Sequence, residues 1–114
     1  MMTGPAYTSL NTSLFIFEIE NIDGIKWTSS NYYEMMLLRQ YHPEITIFNG
    51  PDEMLLCGLS AGADGGIGTT YNFMLPLYQG ILNNFKDGNM AAALELQEKS
   101  ARIIQTYHKY PGIP

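Results

Sequence analysis

Three short apolar or glycine-rich runs recur at about twenty-residue intervals, each followed by a stretch with helical character, and this rhythm restricts the fold most severely. The first is Asp23-Gly24-Ile25-Lys26-Trp27-Thr28-Ser29, an apolar segment that carries one lysine and opens into Ser/Asn-rich sequence. The second is Ile45-Thr46-Ile47-Phe48, ended by the turn Asn49-Gly50-Pro51. The third, Ala63-Asp64-Gly65-Gly66-Ile67-Gly68, is a glycine-rich strand candidate that leads into Thr69-Thr70-Tyr71-Asn72. Strands separated by helices pair in parallel, because each crossover returns the chain to the edge it left. An α/β fold with a parallel sheet is therefore expected.

The intervening segments carry their own signals. Tyr32, Met35, Met36, Leu37 and Leu38 alternate with polar Glu34, Arg39 and Gln40 as an amphipathic helix, stopped near His42-Pro43 because proline excludes its predecessor from helical geometry. Asp52 and Glu53 stand where a helix would start, with Met54, Leu55, Leu56, Cys57 and Leu59 as its apolar body and Gly62 as its stop. A helix over 72–85 is expected to begin irregularly, because Pro76 cannot donate a backbone hydrogen bond. Lys86-Asp87-Gly88-Asn89 ends it and caps another over 90–107, whose apolar side holds Ala93, Leu94, Ala101, Ile104 and Tyr107. Before the first strand, Gly4-Pro5 reads as a break and Leu10, Leu14, Phe15 and Phe17 suit either a short helix or a strand.

Composition narrows the partners. The net charge of −5 leaves no basic footprint for nucleic acid. Cys57 is the only cysteine, which excludes an internal disulfide and a cysteine-based zinc site and fits a reducing cytoplasm. The longest apolar run before Lys26, residues 14–17, is far too short for a signal core or a membrane span. With 46% hydrophobic residues against 15% charged, the 114-residue chain has the makings of one modest globular core.

In parallel α/β folds, the polar groups that do chemistry collect at the carboxyl ends of the strands. Lys26 with Thr28, Gly50 with Asp52 and Glu53, and Gly68 with Thr69 hold that position in the three units. Lys26 is the candidate nucleophile. Apolar walls around its amine would make the ammonium costly and ready the nitrogen to attack a carbonyl, giving a Schiff base. Each residue also has a plainer reading. A lysine at a strand end commonly snorkels to solvent, Asp52 and Thr69 suit helix caps, and Thr28 suits a strand end. His42 and His108 read as surface residues, Cys57 as core, and the methionine-rich helix as packing. The glycine run lacks the spacing of a dinucleotide fingerprint, and no cofactor or metal is expected.

Gly24-Ile25-Lys26-Trp27-Thr28-Ser29, Phe48-Asn49-Gly50-Pro51-Asp52-Glu53 and 62–72 together resemble, in order and spacing, the family of class I pyruvate aldolases that includes dihydrodipicolinate synthase and N-acetylneuraminate lyase. The resemblance covers roughly the whole chain. It implies a partial (β/α)8 TIM barrel, about strands 6 to 8 with their helices, in which Lys26 forms a Schiff base with open-chain sialic acid, releasing N-acetylmannosamine and then pyruvate. It further implies that Thr28 lies near the reacting hydroxyl. Asp52, Glu53 and the Gly50 backbone would hold the polyol tail with Thr69, where the family more often has serine. The backbone around Ile67 would face the pyruvate portion. A cytoplasmic homotetramer is implied for the intact enzyme.

The family's earlier strands carry a Gly-Ser-Thr-Gly-Glu-like run and a Tyr-Asn-Ile-Pro-like tyrosine that have no counterpart here. Residues 1–114 are thus expected to form one partial barrel domain without the N-terminal half or the last helices. Alone, such a domain should self-associate or dissolve poorly and lack appreciable lyase activity. Two alternatives stay open: another 2-keto-3-deoxy acid aldolase of the dihydrodipicolinate synthase type, and a non-catalytic α/β interaction module.

Overall fold

The computed structural model describes residues 21–110, so the residue 10–20 segment and the closing prolines lie outside the described residues. Three parallel strands, β1 (Gly24–Trp27), β2 (Thr46–Asn49) and β3 (Gly65–Gly66), form one sheet in the order β1-β2-β3. The register pairs Ile25 with Ile47, Lys26 with Phe48 and Asn49 with Gly66. Among the described residues four α-helices accompany them: α1 (Tyr32–Tyr41), α2 (Leu55–Ala61), α3 (Tyr71–Lys86) and α4 (Met90–Tyr107).

Alternation along the strands divides the sheet into two faces. Trp27, Ile47 and the flanking Ile45 pack with Met35 and Leu38 of α1 and with Ala61 and Ala63, all buried. On the other face Gly24, Lys26 and Thr46 are exposed and Phe48 is half-buried. A second cluster joins α2, α3 and α4 through Leu55, Leu59, Met74, Tyr78, Ile81, Ala93 and Ile104.

The expected punctuation is in place. Asn31 Oδ1 accepts from Glu34 N at 3.2 Å, Asn89 Oδ1 accepts from Ala92 N at 3.2 Å, and Gly62 ends α2 at φ 115°. Pro76 has the anticipated effect: Met74, two residues before it, leaves helical geometry at φ −126°, ψ 24°. At the amino end of β3, Arg39 Nη2 meets Asp64 Oδ2 at 2.6 Å while Nε and Nη1 donate to the carbonyls of Gly62, Pro43 and Ile45.

Several expectations need correcting. Asp52 and Glu53 do not open α2; they lie in a 3-10 turn (Asp52–Met54), and α2 begins at Leu55. The third strand contracts to two glycines, although Asp64 N and Ile67 N continue its hydrogen bonds to β2 on either side. Cys57 is exposed rather than core, because the buried side of α2 is taken by Leu55, Leu56, Gly58 and Leu59. Leu94 is exposed too, while polar Gln97 and Ser100 occupy the buried stripe of α4. Met36 is 43% exposed, so only part of the methionine-rich helix serves packing.

Candidate active site

A cleft of about 210 Å³ opens at the carboxyl end of the sheet. Its walls come from Lys26 of β1, from Gly50 to Glu53 after β2, from Gly68 to Thr70 after β3, and from Ile104, Tyr107 and His108 at the end of α4. The parallel register gathers these residues, since it brings the ends of β1, β2 and β3 to one edge. Five of the seven expected site residues, Lys26, Gly50, Asp52, Glu53 and Thr69, line this one cleft.

Thr28 and Ile67 do not line it. Thr28 is exposed and sits directly against Gly50, where a Cβ would overlap its Oγ1. Ile67 is 47% exposed, and its backbone N–H donates to Asn49 O at 3.0 Å. Lys26 is exposed, so the described residues do not supply the apolar walls expected around its amine. The cause is the pleat: Lys26 points to the open face while its neighbour Trp27 is fully buried on the other.

Asp52 is buried, and both readings of it need refinement. Its Oδ2 accepts from Thr70 N at 2.8 Å and from Thr70 Oγ1 at 2.6 Å, so it anchors the start of α3 rather than of its own helix. Its Oδ1 is shielded from solvent and has no hydrogen-bond partner among the described residues. Gly68 lies so close that a Cβ there would overlap this oxygen, which is why the loop needs glycine at that point. Glu53 is exposed in the same cleft.

A buried polar ring supports the floor. Thr70 Oγ1 and Tyr78 Oη are 2.6 Å apart, and Tyr78 also bonds Ser100. Gln97 Nε2 donates to Ser100 Oγ at 2.9 Å and to the Asp52 carbonyl at 3.3 Å, while its Oε1 accepts from Leu56 N at 2.7 Å. Burial pushes the phenols of Tyr71 and Tyr78 above their ordinary range; the Asp52 carboxylate adds to this, and the hydrogen bond from Thr70 opposes it at Tyr78.

Sequence reasoning missed Thr70, Gln97 and the last turn of α4. The dipeptide Thr69-Thr70 marked the place without saying which threonine is buried, and Gln97 and Ser100 carry no signal until the helices pack. Among the described residues no group of three His, Cys, Asp or Glu side chains is placed to hold a metal ion, and no helix is long and apolar enough to cross a membrane.

The model of the dihydrodipicolinate synthetase family matches residues 7–113. An N-acetylneuraminate lyase of Escherichia coli is 38% identical over 104 residues, which make up 88% of this chain and 35% of that protein. The crystal structure of CdNal from Clostridium difficile in complex with mannosamine superposes with a TM-score of 0.81 at 34% identity, covering 85% of this chain and 33% of that one. N-acetylneuraminate lyase from Fusobacterium nucleatum complexed with pyruvate gives 0.80 at 35% identity over the same shares. The chain thus spans about a third of the length of the relatives it matches. Its sheet and helices are a three-strand portion of the (β/α)8 barrel of those lyases.

Proposed function

The chain belongs to the dihydrodipicolinate synthetase family, and from that premise we propose that it carries the lysine-bearing part of a class I aldolase site acting on N-acetylneuraminate. The observation that supports this reading best is the meeting of Lys26 with Gly50, Asp52, Glu53 and Thr69 in one cleft, although 24 residues of chain lie between Lys26 and Pro51 and α2 intervenes before Thr69.

In the complete protein the neutral amine of Lys26 adds to the keto carbon of the open-chain sugar acid, and loss of water gives an iminium ion. That ion accepts the electron pair released as the adjacent carbon-carbon bond breaks. The reacting hydroxyl, near Thr28, loses its proton and N-acetylmannosamine departs. The remaining enamine takes up a proton at carbon, and water hydrolyses the imine to pyruvate and restores the amine. Glu53, exposed in the cleft, accepts hydrogen bonds from the polyol, and Asp52, which lines the same cleft, holds the tail beside it. Thr69 and the Gly50 backbone lie along the same tail, and the backbone at Ile67 faces the pyruvate portion.

By the same reading the complete enzyme needs no cofactor and works as a cytoplasmic homo-oligomer. The isolated chain turns over no appreciable substrate, because the open face of its sheet leaves Lys26 in water.

Borohydride reduction in the presence of pyruvate, followed by peptide mapping, tests the proposal. A mass increase on the Lys26 peptide that disappears in Lys26→Met is the expected result. An unmodified Lys26 in the barrel-complete protein refutes the reading.

A further inference from the structure

We propose that the last turn of α4 selects the tail of the ligand, with Tyr107 and His108 forming a wall that takes a polyhydroxylated carbon chain. The inference rests on the aldolase reading of the cleft, and it adds a specificity element from a helix that contributes nothing at the carboxyl end of a strand.

The first support is the stripe on α4. Ala93, Gln97, Ser100, Ile104 and Tyr107 follow helical spacing along one side, and the first four are buried. Gln97, itself bonded to Ser100, ties that side to the Asp52 carbonyl and the Leu56 N–H, which fixes the helix against the 3-10 turn that bears Asp52 and Glu53. Two turns further on, the same stripe delivers Ile104 and Tyr107 into the cleft that holds Lys26, with His108 beside them.

The second support is the chemistry of that turn. The ring of Tyr107 stacks on Phe73 of α3, with centroids 6.0 Å apart and planes at 27°, and lies 6.1 Å from the ring of His108 at 58°. Phe73 is 57% exposed, so the aromatic row runs from an exposed ring through Tyr107 to the cleft wall. A polyol presents C–H surface and hydroxyls together. Aromatic faces cover the first, and imidazole, phenol and the Glu53 carboxylate bond the second. Pyruvate, with three carbons and no hydroxyl, uses neither.

Two probes, pyruvate and N-acetylneuraminate, separate this inference from the reading beneath it. Apparent affinities for both are measured on the full chain by saturation-transfer NMR titration, for wild type, His108→Ala and Tyr107→Leu. His108 is exposed, so its replacement leaves the core intact even if the Tyr107 variant folds poorly. The expected result is that the ratio of the N-acetylneuraminate constant to the pyruvate constant rises at least fivefold in His108→Ala. An unchanged ratio, with both probes bound, overturns the wall and leaves the aldolase reading standing. Equal weakening of both probes also overturns it, since that marks a structural effect. If the wild type binds N-acetylneuraminate but pyruvate cannot be trapped on Lys26, a loss of sugar binding in His108→Ala upholds the wall while the aldolase reading falls. Binding of neither probe also overturns the wall, while the aldolase reading is still decided by the trapping of pyruvate on Lys26 in the barrel-complete protein.

Discussion

The two faces of the three-stranded sheet are built to different ends. On one, Trp27, Ile47 and Ile45 are sealed under Met35 and Leu38 of α1, and the buried carboxamide of Asn49 accepts from Tyr32 Oη at 2.7 Å and donates to Pro51 O at 2.6 Å. On the other, one residue along the same strands, Lys26 and Thr46 are exposed. The first face holds the chain together; the second carries Lys26, the proposed nucleophile, and has no apolar cover among the described residues. A parallel sheet ordinarily has both faces covered, so packing on one side alone holds these strands in register while the other side stays open.

The contrast is broken most severely at Trp27. Trp27→Ala should cost about 3–5 kcal/mol, enough to unfold most of a small domain, and urea titration followed by circular dichroism measures it. Gly58→Ala comes next. Its methyl would overlap the Asn49 carboxamide and force it from Tyr32, at about 1–3 kcal/mol by the same titration.

Alkali tests the buried phenols. Tyr32, Tyr71 and Tyr78 are all held above the ordinary value of 10.0, first of all by burial. The unfolded chain therefore releases these protons before the folded one does. Their contribution is complete below pH 10 and is lost as pH rises above it, so the urea midpoint should hold between pH 8 and 9.5 and fall by pH 11. A flat midpoint across that span would refute the packing assigned to the three rings. The smallest effect is expected on the open face. Lys26→Met should change stability by no more than about 0.5 kcal/mol, as a change at an exposed side chain generally does, and a larger loss would mean that the open face also serves the fold.

Much of this architecture was legible in order. Proline at 43, the turn at Asn49-Gly50-Pro51, glycine at 62 and the Gly88-Asn89 pair set boundaries that local chemistry alone enforces. The site was legible in part. Lys26, Gly50, Asp52, Glu53 and Thr69 could be placed together because a parallel sheet sends every strand end to the same edge. The partners of Asp52 could not be foreseen. Capping its own helix was the natural local choice, yet its oxygen reaches Thr70, 18 residues away, and Gln97 bonds its carbonyl from 45 residues away.

By itself the sequence determined the order of strands and helices and the stops at Pro43, Gly62 and Gly88, because periodicity, proline and glycine act within a few residues of themselves. The exposure of Lys26 and Cys57, the burial of Thr70 rather than Thr69 and the arrival of Tyr107 at the cleft were decided only by tertiary structure. Each depends on which face a strand turns to its helices and on how far a packed helix reaches, and neither is a property of any short stretch of chain.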